Sequence, residues 1–179
     1  MNRPAAFLDR DGTIIADPGY LKDPADVQVL DGAIAGIRAL RNRGMAIVVV
    51  TNQSGIGRGL FGWDEYFAVA DRVASLLGDA VPDATFVCPH YPPVTGPCDC
   101  RKPGLKHYRD AAARFGIDLG RSIWIGDRIS DLTPATVFGG QAVLVRTGAG
   151  PEHEVEALVQ GFNVADDLLG AATKPLGLY

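Results

Sequence analysis

The chain predicts an α/β fold, a parallel sheet covered by helices on both faces. Apolar runs of strand length recur at Ala5–Leu8, Ala46–Val50, Ala84–Val87, Ile123–Ile125 and Ala142–Val145. These runs are continuously apolar rather than alternating, as strands buried on both faces require. Segments of helical period lie between them, so strand and helix alternate along the chain.

Taken in order, Asp31 is placed to cap a helix that carries Ile34, Ile37 and Leu40 and stops at Gly44. Asp64 can start a second helix through Phe67, Ala70, Val73 and Leu77. Leu105–Phe115 reads as a third, closed by Gly116. Thr133-Pro134 reads as the N-cap and first-turn proline of a fourth, stopped by Gly139-Gly140. Glu154–Gln160 and Asp166–Ala172 are shorter helix candidates, with a short strand at Phe162–Val164 between them. Two irregular stretches, Ile14–Leu30 and Pro89–Pro103, are too short to be separate domains, so any lid must be built from loops. There is no internal repeat, low-complexity tract or linker, and residues 1–179 read as a single domain.

A chain of 179 residues and 18.9 kDa is long enough for one full-sized core. The net charge of −4, with no stripe of Lys and Arg, argues against nucleic acid or an anionic membrane as partner. The longest apolar run, Met45–Val50, is far too short to span a bilayer. Met1–Leu8 lacks the apolar region of a signal peptide. The expectation is a cytoplasmic monomer acting on a small molecule.

Three cysteines all lie between positions 88 and 100, an odd number that suits no disulfide framework. Cys88-Pro89-His90 and Cys98-Asp99-Cys100 each pair ligands two residues apart. Three thiolates and one imidazole can close tetrahedrally around Zn²⁺. Four protein ligands leave no open position, so the metal's role would be structural. It would pin the loop that delivers Arg101 and Lys102, the residues directly after the last ligand.

The most informative segment is Phe7-Leu8-Asp9-Arg10-Asp11-Gly12-Thr13. Residues two apart on a strand share a face, and Gly12 lets the backbone turn at the strand's end. Two carboxylates so close repel unless a cation or shared proton compensates. A divalent metal and a phosphoryl group would use them, one acid as nucleophile and the other as proton carrier. Three further polar clusters follow later strands: Thr51-Asn52-Gln53-Ser54, Arg101-Lys102, and Asp127 with Asp131. Singly, each could be an ordinary turn or a solvated charge. In an open parallel sheet, however, all four converge at the carboxyl edge, where ligands bind. Together they make the donor set that phosphoryl transfer needs.

Gly57-Arg58-Gly59-Leu60-Phe61-Gly62 matches a dinucleotide-binding glycine pattern, but it begins six residues after Thr51, too far from the strand–helix turn. Those glycines more simply let a loop lie flat over substrate. His107 and His153 read as surface or helix-face residues, and Trp63 and Trp124 as core or loop packing.

In order and spacing, Asp9-x-Asp11-Gly12-Thr13, Thr51, Lys102 and Gly126-Asp127-x-x-x-Asp131 resemble the haloacid dehalogenase-type phosphatases. The resemblance is closer to one branch, the D-glycero-D-manno-heptose 1,7-bisphosphate 7-phosphatases. It runs through Phe7–Ile15, Asp17–Tyr20, Val48–Gly59, Cys88–His90, Cys98–Pro103, Gly126–Asp131 and Val143–Gly148.

The resemblance implies a three-layer, Rossmann-like parallel sheet of that type with no cap domain. It implies that Asp9 forms an aspartyl-phosphate, and that Asp11 protonates the leaving oxygen and then deprotonates the attacking water. Mg²⁺ would be held by Asp9, the Asp11 backbone carbonyl and Asp127; Thr51 and Lys102 would hold phosphate oxygens, and Asp131 would orient Lys102. Asp17, Pro18, Gly19, Tyr20, Asn52, Gln53, Ser54, Arg101 and Arg128 would meet a sugar bisphosphate. The implied pathway is ADP-heptose and surface-glycan heptose synthesis. A phosphate dianion with Asp9 and Asp127 gathers about four negative charges, of which Mg²⁺ and Lys102 offset about three. Arg101 could supply the remainder or reach a second phosphate.

Three features depart from the branch. The gap between His90 and Cys98 is short, Gly104-Leu105 follows Lys102-Pro103 without a second proline, and Arg128 replaces a common lysine. Histidinol-phosphate phosphatases share the zinc loop and catalytic set, but Ser54, Gly19-Tyr20 and Gly57-Arg58-Gly59 favour the heptose branch. A silent sugar-phosphate-binding domain is the third reading. Intact Asp9, Asp11, Lys102 and Asp127 argue against it.

Overall fold

The computed structural model describes residues 2–174. The strands are β1 (Ala5–Leu8), β2 (Ala46–Asn52), β3 (Ala84–Cys88), β4 (Ile123–Gly126), β5 (Gln141–Val145) and β6 (Asn163–Ala165). They form one sheet in the order β3-β2-β1-β4-β5-β6, every neighbouring pair parallel. The helices are α1 (Ala33–Asn42), α2 (Ser54–Gly57), α3 (Trp63–Leu77), α4 (Pro92–Thr95), α5 (Lys106–Phe115), α6 (Ile129–Phe138), α7 (Gly150–Val159) and α8 (Leu168–Thr173). No cap domain is evident among the described residues, and no described helix is long and apolar enough to cross a membrane.

Alternation along the strands fills two cores. Ala6 and Leu8 of β1 face Ile37 and Leu40 of α1, Val69 and Val73 of α3, and Leu168 of α8. Ala5 and Phe7 face Tyr108 of α5, Leu132 of α6 and Ala157 of α7. Phe7 stacks on Trp124 at 4.9 Å and meets Tyr108 edge-on at 5.1 Å. Trp124 is fully buried, so Trp124→Ala would cost about 3–5 kcal/mol. The chain runs outward from β1 through β2 to β3, then returns to place β4 on β1's other side. That reversal opens a crevice beyond the carboxyl ends of β1 and β4, where open α/β sheets bind ligands.

The predicted strands are all present, but several helix starts differ. α1 is preceded by Gly32 in the left-handed region (φ 78) rather than capped by Asp31. Glu65, not Asp64, closes the start of α3, its Oε2 accepting from the Gly62 amide at 2.8 Å. α6 begins a turn before Thr133-Pro134, because Asp131 reaches back to accept from the Arg128 amide at 3.0 Å. Pro134 therefore sits inside the helix, while the Thr133 hydroxyl donates back to the Ile129 carbonyl at 2.9 Å. α7 likewise starts earlier than expected, with Pro151 in its first turn. Inside the two irregular stretches lie a 3₁₀ turn at Pro24–Asp26 and α4. Of the two readings of His107, helix face holds and surface does not: on α5 it is buried beside Phe86, with ring centroids 5.6 Å apart.

Candidate active site

The site begins where β1 stops. The Asp9 amide still donates to Ile125 O on β4 at 3.0 Å, so Asp9 is fixed on the last rung of the sheet. The chain then turns at Gly12 (φ 84), whose backbone passes against Asp127. A Cβ at Gly12 would lie 2.2 Å from Asp127 Oδ2, so only glycine permits this approach.

Asp9 Oδ1 accepts from Lys102 Nζ at 2.6 Å and from the Arg10 amide at 2.7 Å. The same ammonium reaches Asp131 Oδ1 at 2.8 Å, and Lys102's side chain is 3% exposed. Burial opposes its charge, yet Asp131 and Asp9 hold it well above the ordinary lysine range. Burial pushes Asp9 well above the usual carboxylate range against the opposing pull of Lys102, with Asp131, Asp127 and Asp11 adding to the rise. Asp127 is pushed up to about 6, first by burial and then by Asp131. Its Oδ2 accepts from the Ala149 amide at 2.8 Å, while Oδ1 is buried with no partner. Carboxylate oxygens of Asp9, Asp127 and Asp131 lie within 4.8 Å of one another. Three buried carboxylates around one ammonium, with one oxygen orphaned, fit a divalent cation.

β2 runs past its pairing with β1 and carries Thr51 and Asn52 over the site. Asp11 Oδ2 accepts from Gln53 Nε2 at 2.7 Å and from Thr51 Oγ1 at 3.3 Å. Gln53 Nε2 also donates to Thr51 Oγ1 at 2.8 Å. Asn52 brackets the Lys102 backbone: its Oδ1 accepts from the Lys102 amide at 3.0 Å, and its Nδ2 donates to the Lys102 carbonyl at 3.4 Å. Asn52 and Gln53, expected at the substrate, thus have their side chains engaged in setting Lys102 and Asp11, although both line the cavity wall.

That cavity, about 580 Å³, has Asp9, Asp11, Lys102 and Asp131 at one side and Asp17, Gly19, Tyr20, Ser54, Arg101 and Arg128 at others. The predicted constellation is therefore brought together. Thr51, Pro18 and Asp127 lie outside the lining itself; Thr51 and Asp127 are fully buried behind it. Arg128 pairs with Asp17 at 3.7 Å, and the Asp17 carboxylate accepts from the Gly19 amide at 2.9 Å. Tyr20 sits at φ 50 with its ring half exposed. Leu21, Gly55 and Ser130 also line the cavity, and Arg58, His153 and Arg10 are further additions to its lining or support. Arg58 lines the cavity with its guanidinium 3.6 Å from the Tyr91 ring centroid. His153, read as a surface or helix-face residue, stands on α7 and lines the cavity from there. Arg10 lies behind Asp11 and is buried. Arg58 and His153 both follow strands at the carboxyl edge, the same positional signal that marks the other site residues.

Beside the cavity, Cys88, His90, Cys98 and Cys100 gather. Cys88 Sγ lies 3.7 Å from His90 Nδ1, 3.8 Å from Cys98 Sγ and 3.2 Å from Cys100 Sγ; His90 Nδ1 lies 3.2 Å from Cys100 Sγ. Tetrahedral zinc with S and N ligands sets edges of about 3.6–3.8 Å, so the four atoms need little adjustment. The glycine run serves this loop: the Gly57 amide donates to Pro89 O at 2.9 Å, and a Cβ there would fall 2.6 Å from that oxygen.

The HAD-hydrolase-like family model matches residues 99–171. The D-glycero-β-D-manno-heptose-1,7-bisphosphate 7-phosphatase of Photorhabdus laumondii is 41% identical, the match covering 86% of each chain. The enzyme of that name from Escherichia coli K12 is 37% identical, covering 94% of this chain and 89% of its own. The crystal structure of D,D-heptose 1,7-bisphosphate phosphatase from B. bronchiseptica, complexed with magnesium and phosphate, superposes with a TM-score of 0.84. It is 36% identical, covering 94% of this chain and 96% of that one. The chain is a phosphoric monoester hydrolase with the HAD fold, and it belongs to the family of the D-glycero-β-D-manno-heptose-1,7-bisphosphate 7-phosphatases.

Proposed function

We propose that this protein hydrolyses the 7-phosphate of D-glycero-D-manno-heptose 1,7-bisphosphate through an aspartyl-phosphate on Asp9. One observation carries the reading: Asp9 is buried on the last rung of β1, bonded to Lys102 at 2.6 Å, beside the orphaned oxygen of Asp127. An Asp9 oxygen attacks phosphorus and the bond from phosphorus to the C7 oxygen breaks, with Asp11 giving its proton to the departing alkoxide. Asp11 then takes a proton from water, water oxygen bonds phosphorus, and the Asp9–phosphorus bond breaks to release inorganic phosphate. Lys102 and Thr51 hold phosphoryl oxygens, and Asp131 fixes Lys102 from its other side at 2.8 Å. Asp9, the Asp11 backbone carbonyl and Asp127 are the residues to hold Mg²⁺. When bound, that ion supplies Lewis-acid polarisation of the phosphoryl oxygens and offsets the carboxylate charge.

Substrate choice rests on the mouth of the cavity, where Arg58, Arg101 and Arg128 stand. A second phosphate is attracted there, whereas the ammonium of histidinol phosphate is repelled. Zn²⁺ on Cys88, His90, Cys98 and Cys100 holds the loop carrying Arg101, whose Nη1 donates to His90 O at 3.4 Å. The reaction belongs to the assembly of ADP-heptose for surface glycans. The test is kcat/KM with Mg²⁺ on α- and β-heptose 1,7-bisphosphate against histidinol phosphate. Preference for a heptose ester by at least about 10-fold, some 1.4 kcal/mol, is expected; faster histidinol phosphate turnover overturns the assignment. Asp9→Asn should lack turnover while remaining folded, and substantial residual activity would remove the covalent mechanism.

A further inference from the structure

We infer that Arg10, the residue between the two catalytic carboxylates, is a positioning residue that holds the proton-transferring face of Asp11 toward the leaving group; the inference rests on the reading of Asp11 as acid. Arg10 Nε lies 3.2 Å from Asp11 Oδ1 and 3.1 Å from Oδ2, and Nη2 lies 3.0 Å from Oδ1. Gln53 and Thr51 reach only Oδ2, so among the described residues Arg10 alone holds Oδ1. The guanidinium is itself fixed. Its side chain is 5% exposed, lies 5.4 Å from the Tyr66 ring centroid on α3, and backs onto an apolar cavity of about 270 Å³ beside Ile14 and Val49.

Burying the pair costs desolvation. Arg10 Nη1 is buried without a partner, and the pair takes a full guanidinium out of water to hold one carboxylate that is 18% exposed to the substrate cavity. What the fork does supply is orientation. A planar two-point contact fixes both the position and the rotation of a carboxylate, which a single amide donor cannot do. Asp11 must place one oxygen on the bridging ester oxygen at the moment the bond to phosphorus breaks, and small misplacements of such groups are costly in rate.

The test separates orientation of the acid from general damage. Benzyl phosphate departs as a strongly basic alkoxide and needs a proton, whereas 4-nitrophenyl phosphate leaves as a stable phenolate and needs little. Because kcat/KM reports steps up to the first irreversible one, it reads leaving-group departure and not the later attack of water. Asp11→Asn, Arg10→Met, Arg10→Lys and the Arg10→Met/Asp11→Asn pair are measured on both esters with Mg²⁺ present. General-acid catalysis is worth about 10²–10⁴-fold, so Arg10→Met should lower kcat/KM on benzyl phosphate by about 10–100-fold and on the nitrophenyl ester by less than about 3-fold. Arg10→Lys, keeping charge but not the fork, should fall between parent and Arg10→Met, and it carries the test if Arg10→Met does not fold. The double variant should be no slower than Asp11→Asn alone. Equal losses on the two esters for both Arg10 variants, or additive losses in the pair, overturn the inference while Asp11 keeps its role. Equal losses for Asp11→Asn itself overturn the reading of Asp11 and the inference with it.

Discussion

Lys102→Met offers a stability test of the charge arrangement, independent of any substrate. The ammonium sits 2.6 Å from Asp9 and 2.8 Å from Asp131, with 3% of the side chain exposed. At an effective dielectric constant of about 20, each contact is worth some 6 kcal/mol of Coulomb energy before desolvation. The carboxylates limit the net loss by taking up protons, so the expected cost is that of breaking a buried pair, about 3–5 kcal/mol. For a domain of this length that lowers Tm by roughly 6–20 °C. The pH dependence follows from the shifts. Asp9 is raised and Asp127 stands at about 6 even with Lys102 present, against 3.8 for a free aspartate. A carboxyl group raised in the folded state stabilises below its unfolded pKa and loses that contribution as pH rises through its folded value. The deficit of Lys102→Met should therefore be largest near pH 7.5 and shrink as pH falls from about 7 toward 4. Circular-dichroism melts without added Mg²⁺ measure it, and adding Asp131→Asn should restore part of the loss. A variant melting within about 2 °C of the parent at pH 7.5, or a deficit that grows toward pH 5, would refute the reasoning.

The protein should carry about one zinc per chain, and Cys98→Ser should lose it together with activity; metal analysis without chelators that finds none removes the site. Burial holds the His107 imidazole below its ordinary value of 6.5. That depressed value contributes stability above pH 6.5 that is lost as pH falls through the folded pKa, so His107→Phe should lose less Tm than the parent between pH 7.5 and 5. Identical losses would exclude the histidine as the cause. Arg101→Ala should lower kcat/KM far more for heptose 1,7-bisphosphate than for a small phosphate ester, since remote binding energy orients the transferred group. Equal losses would place Arg101 on the transferred phosphoryl itself.

Most of the sheet was legible because burial on both faces leaves continuous apolar runs, and the carboxyl edge of a parallel sheet collects whatever follows each run. Asp9, Asp11, Lys102 and Asp131 meet at one cavity for that reason. The gathering of Cys88, His90, Cys98 and Cys100 was legible because pairs two residues apart can meet without knowledge of the rest of the fold. Helix starts were less so. Thr133-Pro134 carries a strong local cap signal, yet Asp131, bonded to both Lys102 and the Arg128 amide, places the first turn earlier. The Arg128 contact is local, but the Lys102 ammonium that fixes Asp131 comes from 29 positions away, by the numbering of Lys102 and Asp131. Arg10 escaped notice because a residue between two strand-end acids should face the other way; its long side chain folds back to Asp11.

The loop carrying the Cys88–His90–Cys98–Cys100 cluster and Asp9 are joined by few bonds despite their separation in sequence. β3 is an edge strand, paired on one side only, and such an edge is where a sheet frays most readily. Its last residue, Cys88, pairs in register with Asn52, and Cys88 O accepts from the Gln53 amide at 2.7 Å. Asn52 brackets Lys102, and Gln53 holds Asp11. A metal closed around Cys88, His90, Cys98 and Cys100 would therefore fix both ends of that segment at once, the strand end through Cys88 and the Lys102 loop through Cys100. Fraying of β3 would otherwise release the Asn52 and Gln53 side chains together, and with them the ammonium on Asp9 and the orientation of Asp11. A metal held there would thus act on Lys102 and Asp11 through β2, and its loss should reach both residues.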